Sequence, residues 1–361
     1  ITAANEGHDV VMTPGNWVYL DHYQGSSKVE PVAIGGYTTL EETYGYDPVP
    51  KDLDTNKVKH ILGTQGNVWS EYMYSGDLAE YRIYPRIIAL AEINWTPLDK
   101  KDFAGFVKRM DNQFVRLDEH NINYHIPLPE GPVSTIAMLD STTLEFTTTR
   151  SLNMYYTLDG SEPDLDSKKY QHPITLSESG TVKIRTALPT GKMSKVRTIN
   201  VEKQAPKDAE PVQAKNPGLK VKIAEAEIYS TKDIRGIDKW AITTARELKQ
   251  TNKLFDYHKP SVGIFEGYLN IPEDGVYSFS TDMDEFYIAG KLLINNDGEV
   301  KRHSRNDASI ALGKGLHSVK MTFINNVYGG WPQAWNGFRI SYKTADAEKA
   351  TNLKPEDFVH L

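Results

Sequence analysis

Residues 61–95 read ILGTQGNVWSEYMYSGDLAEYRIYPRIIALAEINW. The run opens like a short strand and reaches Trp69-Ser70-Glu71, an aromatic beside a carboxylate. From Asp77 to Trp95 the residues Ile83, Ile87, Ile88, Leu90 and Ala91 recur at helical spacing, which predicts one long helix entered from the strand tip. A ring and an acid at the C-terminal tip of a strand suit a sugar. The ring covers the apolar face of a pyranose, and the carboxylate accepts hydroxyl hydrogen bonds. In α/β barrels the C-terminal strand tips carry the chemistry. The plainer alternative is a packed Trp and a helix-entry Glu that favours the macrodipole.

Upstream, residues 1–126 continue the α/β pattern. Asp9–Thr13, DVVMT, predicts a strand closed by Pro14-Gly15. Thr39–Tyr44 predicts a helical turn, followed by the Pro-rich YDPVP, and Val58–Gly63 predicts the next strand. A helix is expected over Asp99–Glu119, with Phe103, Phe106, Val107, Met110, Phe114 and Leu117 on one stripe. Strands alternating with helices imply parallel pairing. A second aromatic-and-acid cluster, Trp17-Val18-Tyr19-Leu20-Asp21, follows the first strand. Tyr19 and Asp21 have period-2 spacing and share a face in an extended chain, so a phenol and a carboxylate can grip one ligand. Equally, Tyr19 can be half-buried core and Asp21 a turn cap.

Composition narrows the function classes. The chain has 361 residues, enough for two or three domains, and a net charge of −7, which is not the basic footprint of a nucleic-acid binder. It contains no Cys, which excludes disulfides, thiolate metal sites and thiol catalysis. His22, His60, His120, His125 and His317 show no metal-ligand spacing. No apolar run is long enough to span a membrane and no signal peptide is visible. The opening ITAANEGHDVVMTP reads as the end of a helix entering a strand, so the chain is expected to continue a longer polypeptide.

Downstream the pattern changes. Ile126–Val133, IPLPEGPV, reads as a linker. The runs LEFTTT, MYYTLDG, ITLSESG, TVKIRTA and KVRTINV then predict a small antiparallel sandwich over 127–203, of immunoglobulin or fibronectin type. In MYYTLDGSEPD, Asp159-Gly160 reads as a turn that ends a strand. Residues 204–217 read as a polar linker with little to bury, and 218–361 as a second all-β domain.

The ordered set GHDVVMTP, WVYLDHYQ, YGYDPVP, GTQGNVWSEY and YPRIIALAEINW resembles the C-terminal part of the catalytic domain of family 20 glycoside hydrolases, the β-N-acetylhexosaminidases. The resemblance covers 1–126. It implies a partial (β/α)₈ TIM barrel, with these two strands its seventh and eighth and the helix from Asp77 its last, followed by two all-β sandwich domains. It further implies that Tyr19 hydrogen-bonds the substrate's acetamido oxygen, that Asp21 binds sugar hydroxyls, that Trp69 walls the pocket and that Glu71 binds the 4-hydroxyl. Trp17 receives no role. The family's chemistry is substrate-assisted retention, which needs no cofactor.

One departure is serious. The resemblance calls for a consecutive Asp-Glu pair on an earlier strand, and Asp118-Glu119 and Asp284-Glu285 do not follow such a strand. This chain is therefore expected to hold part of the active site, to be inactive alone, and to require the missing N-terminal barrel segment.

Met154–Asp164 resembles the small sandwich that follows the barrel in chitobiases and hexosaminidases, and 218–361 resembles the protective-antigen-type β-sandwich. Sugar-binding members of the latter hold calcium with adjacent acids. Here the stretch reads Asp282-Met283-Asp284, so the pair is broken and no metal is expected. Trp331 and Trp335 flank a Gly/Pro-rich loop and either contact glycan or cap the core. The expected partners are N-acetylhexosamine-terminated glycans, and the family's habit implies a periplasmic, cell-surface or secreted protein. The alternative reading is a non-catalytic glycan-binding or adhesion protein using the last domain.

Overall fold

The computed structural model describes residues 1–361 except 133–134, 246–258, 299–305, 326, 329–330 and 333–338, and gives only the backbone of 327–328 and 331–332. Trp335 thus lies outside the described residues, as does the side chain of Trp331.

The N-terminal part is α/β. Helix α1 (Thr2–Asn5) leads into strand β1 (Val10–Met12), a short helix α2 (Gly15–Val18) and helix α3 (Leu40–Gly45). Helix α3 starts with a complete capping box, in which Glu42 N–H donates to Thr39 Oγ1 and Thr39 N–H donates to Glu42. Strand β2 is Ile61–Thr64 and pairs parallel with β1, as the alternation predicts. The start expected at Val58 is instead a 3₁₀ turn over Thr55–His60, so β2 is shorter than its apolar run.

The single helix expected over Asp77–Trp95 is two: α4 (Gly76–Ile83) and α5 (Arg86–Trp95). Pro85 ends the first because it has no N–H to continue the ladder. Ser75 caps α4 by accepting from Leu78 N–H. Helix α6 (Phe103–Glu119) starts later than Asp99 and buries Phe106, Met110, Phe114 and Leu117 against Val18, Leu40, Tyr44, Ala89, Leu90 and Ile93. This core holds α5 and α6 on one side of the two strands.

The middle part holds β3 (Thr135–Met138), β4 (Thr142–Leu144), β5 (Asn153–Thr157), β6 (Lys168–Lys169), β7 (Ile174–Leu176), β8 (Gly180–Ala187) and β9 (Arg197–Lys203). One sheet runs β3-β9-β8-β5-β6, and β4 pairs with β7. The all-antiparallel expectation needs one correction, because β3 lies parallel to β9. That pairing is possible because the two strands are far apart in sequence and no tight hairpin joins them. The Asp159-Gly160 turn is present. Gly160 has φ +83°, and the Asp159 carboxylate accepts from Ser161 N–H at 3.0 Å.

Neither linker hangs free. Glu130 exchanges backbone bonds with Thr147, its side chain accepts from Ser26 N–H at 2.7 Å, and Arg197 donates to the Pro129 and Pro132 carbonyls at 2.6 Å. In the second linker Lys207 and Glu210 N–H donate to the Ala311 and Leu316 carbonyls. The 204–217 stretch therefore packs through its backbone, which its polar side chains do not reveal.

The last part is all-β. Its larger sheet runs β10 (Asn216–Pro217), β23 (Phe358–His360), β13 (Ser261–Ile271), β18 (Gly315–Asn325), β15 (Glu285–Ile288) and β16 (Lys291–Asn295), with β11 (Leu219–Glu225) between β13 and β12 (Ala241–Ala245). The smaller sheet is β17 (Asn306–Leu312), β14 (Gly275–Thr281), β21 (Ile340–Thr344) and β22 (Thr351–Asn352); β19 (Val327–Tyr328) pairs with β20 (Trp331–Pro332). One core joins both sheets, including Phe265, Met321 and Phe358 from the larger and Tyr277, Phe279 and Ile310 from the smaller.

Candidate active site

The chain segments that leave β1 and β2 stay side by side. Gln65 N–H donates to Met12 O at 3.0 Å, Asn67 N–H to Val18 O at 2.9 Å and Leu20 N–H to Asn67 O at 2.7 Å. Tyr19 and Asn67 form a parallel bridge. These bonds carry 17–21 and 67–71 together, although the sequence places them about 50 residues apart. The Tyr19 and Trp69 ring centroids are 6.4 Å apart at 54°. Trp69 is 53% exposed, far from a packed core position, and Glu71 is also exposed. Trp17 is 37% exposed and leans on Tyr46 at 5.8 Å.

Asp21 is different. It is 5% exposed, and its Oδ1 has no hydrogen-bond partner among the described residues. Burial pushes its carboxyl above the ordinary range and the Glu71 charge adds to the rise, while its own backbone N–H, Arg86 and Arg82 oppose it. Asp21 and Glu71 therefore feel each other across the cluster. A buried carboxylate oxygen without a donor is poised to accept one from outside.

Arg86 braces this arrangement. Fully buried on α5, it donates to the carbonyls of Leu20 (2.7 Å), His22 (3.2 Å), Arg82 (2.6 Å) and Thr38 (2.8 Å). Burial lowers its pKa to about 9, so it stays charged at neutral pH. Its charge and the burial of His22 hold the His22 imidazole below its ordinary value, burial being the larger cause. His22 Nδ1 lies 3.1 Å from Thr38 Oγ1, and its ring covers Gly36 so closely that a Cβ there would sit 2.3 Å from Nδ1. Gly36 also has φ +66°, which favours glycine.

A second buried network lies beneath. Glu30 Oε2 accepts from Arg82 Nη1 at 3.2 Å and from Gln24 N–H at 3.2 Å, and Oε1 sits 3.0 Å from His125 Nε2 as an ion-pair contact rather than an aligned hydrogen bond. Burial alone would raise the Glu30 pKa, but His125, Gln24 N–H and Arg82 outweigh it and hold the carboxyl below its ordinary value. Arg82, Arg86 and Glu30 belong to none of the aromatic-and-acid clusters that stand out in the sequence. The available signal was a pair of arginines inside an otherwise apolar helical stripe.

The other acidic pairs are occupied elsewhere. Asp118 accepts from Tyr124 OH at 3.1 Å and pairs with Lys192, while Asp284 is fully buried and accepts from Ile324 N–H at 2.7 Å. Among the described residues no group of His, Asp and Glu has metal-binding spacing, and no helix is long and apolar enough to cross a membrane.

Residues 1–98 match the family model "Glycosyl hydrolase family 20, catalytic domain", 143–201 match "Fn3 associated" and 215–349 match "PA14 domain". The chain is 46% identical over 359 residues to a beta-hexosaminidase of Porphyromonas gingivalis, covering 97% of this chain and 46% of that relative. It is 39% identical over 93 residues to a beta-hexosaminidase of Vibrio furnissii, covering 25% of this chain and 15% of the relative. A solved family 20 beta-N-acetylhexosaminidase from Streptomyces coelicolor A3(2) aligns at 24% identity and TM-score 0.31, over 34% of this chain and 25% of that one. The chain thus spans about half or less of the length of the curated relatives it matches.

Residues 1–98 thus resemble part of a glycoside hydrolase catalytic domain, and more narrowly that of family 20, with all-β parts following it in the chain.

Proposed function

We propose that this chain is the C-terminal part of an exo-acting β-N-acetylhexosaminidase, which removes terminal non-reducing N-acetyl-β-hexosamine from glycans or chitooligosaccharides by substrate-assisted retention. The observation that carries this reading is the convergence of Tyr19, Asp21, Trp69 and Glu71 on two adjoining strand continuations. The relative at 46% identity, itself named a beta-hexosaminidase, supports it.

Each group has a physical task. The acetamido oxygen attacks the anomeric carbon, so the amide must be bent under the ring and its oxygen held. Tyr19 donates its hydroxyl hydrogen to that oxygen and aligns it. Trp69, exposed beside Tyr19, covers the acetamido group and the ring. Asp21, with its unpartnered oxygen, accepts sugar hydroxyls. Glu71 accepts the 4-hydroxyl and marks the non-reducing end. The proton for the leaving oxygen comes from an acidic pair outside this chain, on an earlier strand of the barrel. No cofactor takes part.

The two strands are proposed as the last of a (β/α)₈ barrel. Their apolar residues Val11 and Leu62 stay 49% and 63% exposed, as expected of strands whose neighbours come from the remaining β/α units. Residues 1–126, 127–203 and 218–361, with 204–217 joining the last two, are proposed as the domains, and the protein as acting outside the cytoplasm.

In the full-length protein, Glu71→Gln removes a charged acceptor worth roughly 1.5–3 kcal/mol. It should cut kcat/KM on an aryl N-acetyl-β-glucosaminide about 10- to 100-fold. Unaltered kinetics would sink the assignment of Glu71.

A further inference from the structure

Among the described residues no group hydrogen-bonds the Tyr19 hydroxyl, so its aim rests on how the ring is held. Three neighbours hold it. Gly15 lies under one face, where a Cβ would stand 3.7–3.8 Å from Cγ, Cδ1 and Cδ2. The Trp69 ring centroid is 6.4 Å away and the His22 ring centroid 5.6 Å, both at 54°, which are distances of tilted aromatic pairs. Gly15 offers only backbone, and Trp69 is exposed. His22 is the anchored neighbour. Its Nδ1 is 3.1 Å from Thr38 Oγ1, its ring lies against Gly36, and its carbonyl accepts from Arg86 Nη2 at 3.2 Å. Thr38 Oγ1 also faces the Asn16 carbonyl at 3.4 Å. A carbonyl can only accept, so the hydroxyl hydrogen goes to Asn16, and His22 Nδ1 carries the ring hydrogen that donates to Oγ1. Asn16 follows Gly15 in the chain. A closed circuit therefore runs from the floor of the Tyr19 ring through Asn16, Thr38 and His22 back to the ring.

We infer that His22 is a positioning residue for Tyr19, given the role proposed above for that tyrosine, and that only the neutral imidazole supports turnover. The ring fixes the side-chain torsion of Tyr19 and so the direction of its hydroxyl. In the proposed step the acetamido oxygen bonds to the anomeric carbon as the glycosidic bond breaks, and positive charge spreads over that carbon and the amide. A protonated His22 adds a cation beside the tyrosine that holds the amide. A unit charge at such range slows the step by about tenfold. The charged and titratable groups around the imidazole are Arg86 on α5, Asp21 and Tyr19 on its own segment, and the half-exposed Tyr37 between Gly36 and Thr38. Glu71 and Arg82 act on Asp21. Burial and then the Arg86 charge oppose protonation of His22 and keep its folded value below the ordinary 6.5. The residue is therefore neutral at neutral pH, and kcat falls as pH drops through that folded value.

The test is a kinetic series in the full-length protein on an aryl N-acetyl-β-glucosaminide, with circular dichroism at each pH to verify the fold. The variants are Tyr19→Phe, His22→Ala, His22→Phe and the double variant Tyr19→Phe with His22→Ala. At neutral pH His22→Ala should lower kcat about tenfold with KM little changed, and His22→Phe, which keeps a ring against Tyr19, should recover most of the loss. In the Tyr19→Phe background His22→Ala should cost nothing further, because it acts through the Tyr19 hydroxyl. Wild-type kcat should bend downward on the acid side below pH 6.5, and His22→Phe should lose that bend while keeping those set by carboxylates. Wild-type kcat in His22→Ala, additive losses in the double variant, or an unshifted acid bend in His22→Phe would each overturn the positioning role. A Tyr19→Phe protein at the wild-type rate overturns the role of Tyr19 and that of His22 with it. A slow Tyr19→Phe beside an unimpaired His22→Ala overturns the role of His22 alone.

Discussion

Arg86 holds more of the candidate site than any residue that would touch a sugar. Its guanidinium ties the turn carrying Leu20, Asp21 and His22 to Thr38 and to α4, through four carbonyl oxygens. Removing it leaves those acceptors buried, and Arg86→Ala should cost about 3–5 kcal/mol, measured by chemical denaturation. Gly36 acts on the same turn from the other side. Gly36→Ala meets the His22 ring and a positive φ, and should cost about 1–3 kcal/mol in the same assay. The two buried acids respond to pH with opposite sign. Asp21 has a raised folded value, so folding loses stability as pH rises from its ordinary value of 3.8 toward that raised value. Asp21→Asn should remove that loss. Glu30 has a lowered folded value, so its contribution is fully present above its ordinary 4.5 and disappears as pH falls through the folded value. Glu30→Gln should therefore lower Tm at neutral pH and flatten its acid-side decline; a Tm–pH profile for each variant checks both signs.

At the scale of elements, the parts readable in sequence are those with local rules. The α3 capping box, the α6 stripe and the Asp159-Gly160 turn all follow from residue types at fixed offsets. Thr39→Ala should cost about 1 kcal/mol by chemical denaturation. The single helix expected over 77–95 was wrong because apolar spacing runs through Pro85 without registering its missing N–H. The parallel β3–β9 pairing was not legible either, since strand direction depends on contacts between distant segments. The candidate site shows the same division. Tyr19, Asp21, Trp69 and Glu71 stood out as aromatic-and-acid clusters. Asp21's burial did not, because Arg86, whose hydrogen bonds fix its turn, lies more than 60 residues away.

At the scale of the whole molecule, the three parts lean on one another. Leu188 of the middle part packs in the N-terminal core, and Thr186 Oγ1 donates to Pro127 O at 2.5 Å. Farther along, Ala137 N–H donates to Ser309 Oγ at 2.5 Å, and Lys291 pairs with Glu202 at 2.8 Å. Residues 1–126 also leave Tyr74 and Trp95 each 88% exposed, and Val11 and Leu62 on β1 and β2 are exposed as well. Expressed alone, that piece should show no cooperative thermal transition by circular dichroism.

In the proposed function Tyr19 holds the acetamido oxygen as the nucleophile. The most direct measurement of that role is kcat for Tyr19→Phe in the full-length protein on an aryl N-acetyl-β-glucosaminide. Loss of one positioned donor predicts a fall of about 10²–10³ in kcat with the fold retained. A folded Tyr19→Phe protein that turns over at the wild-type rate would overturn that role.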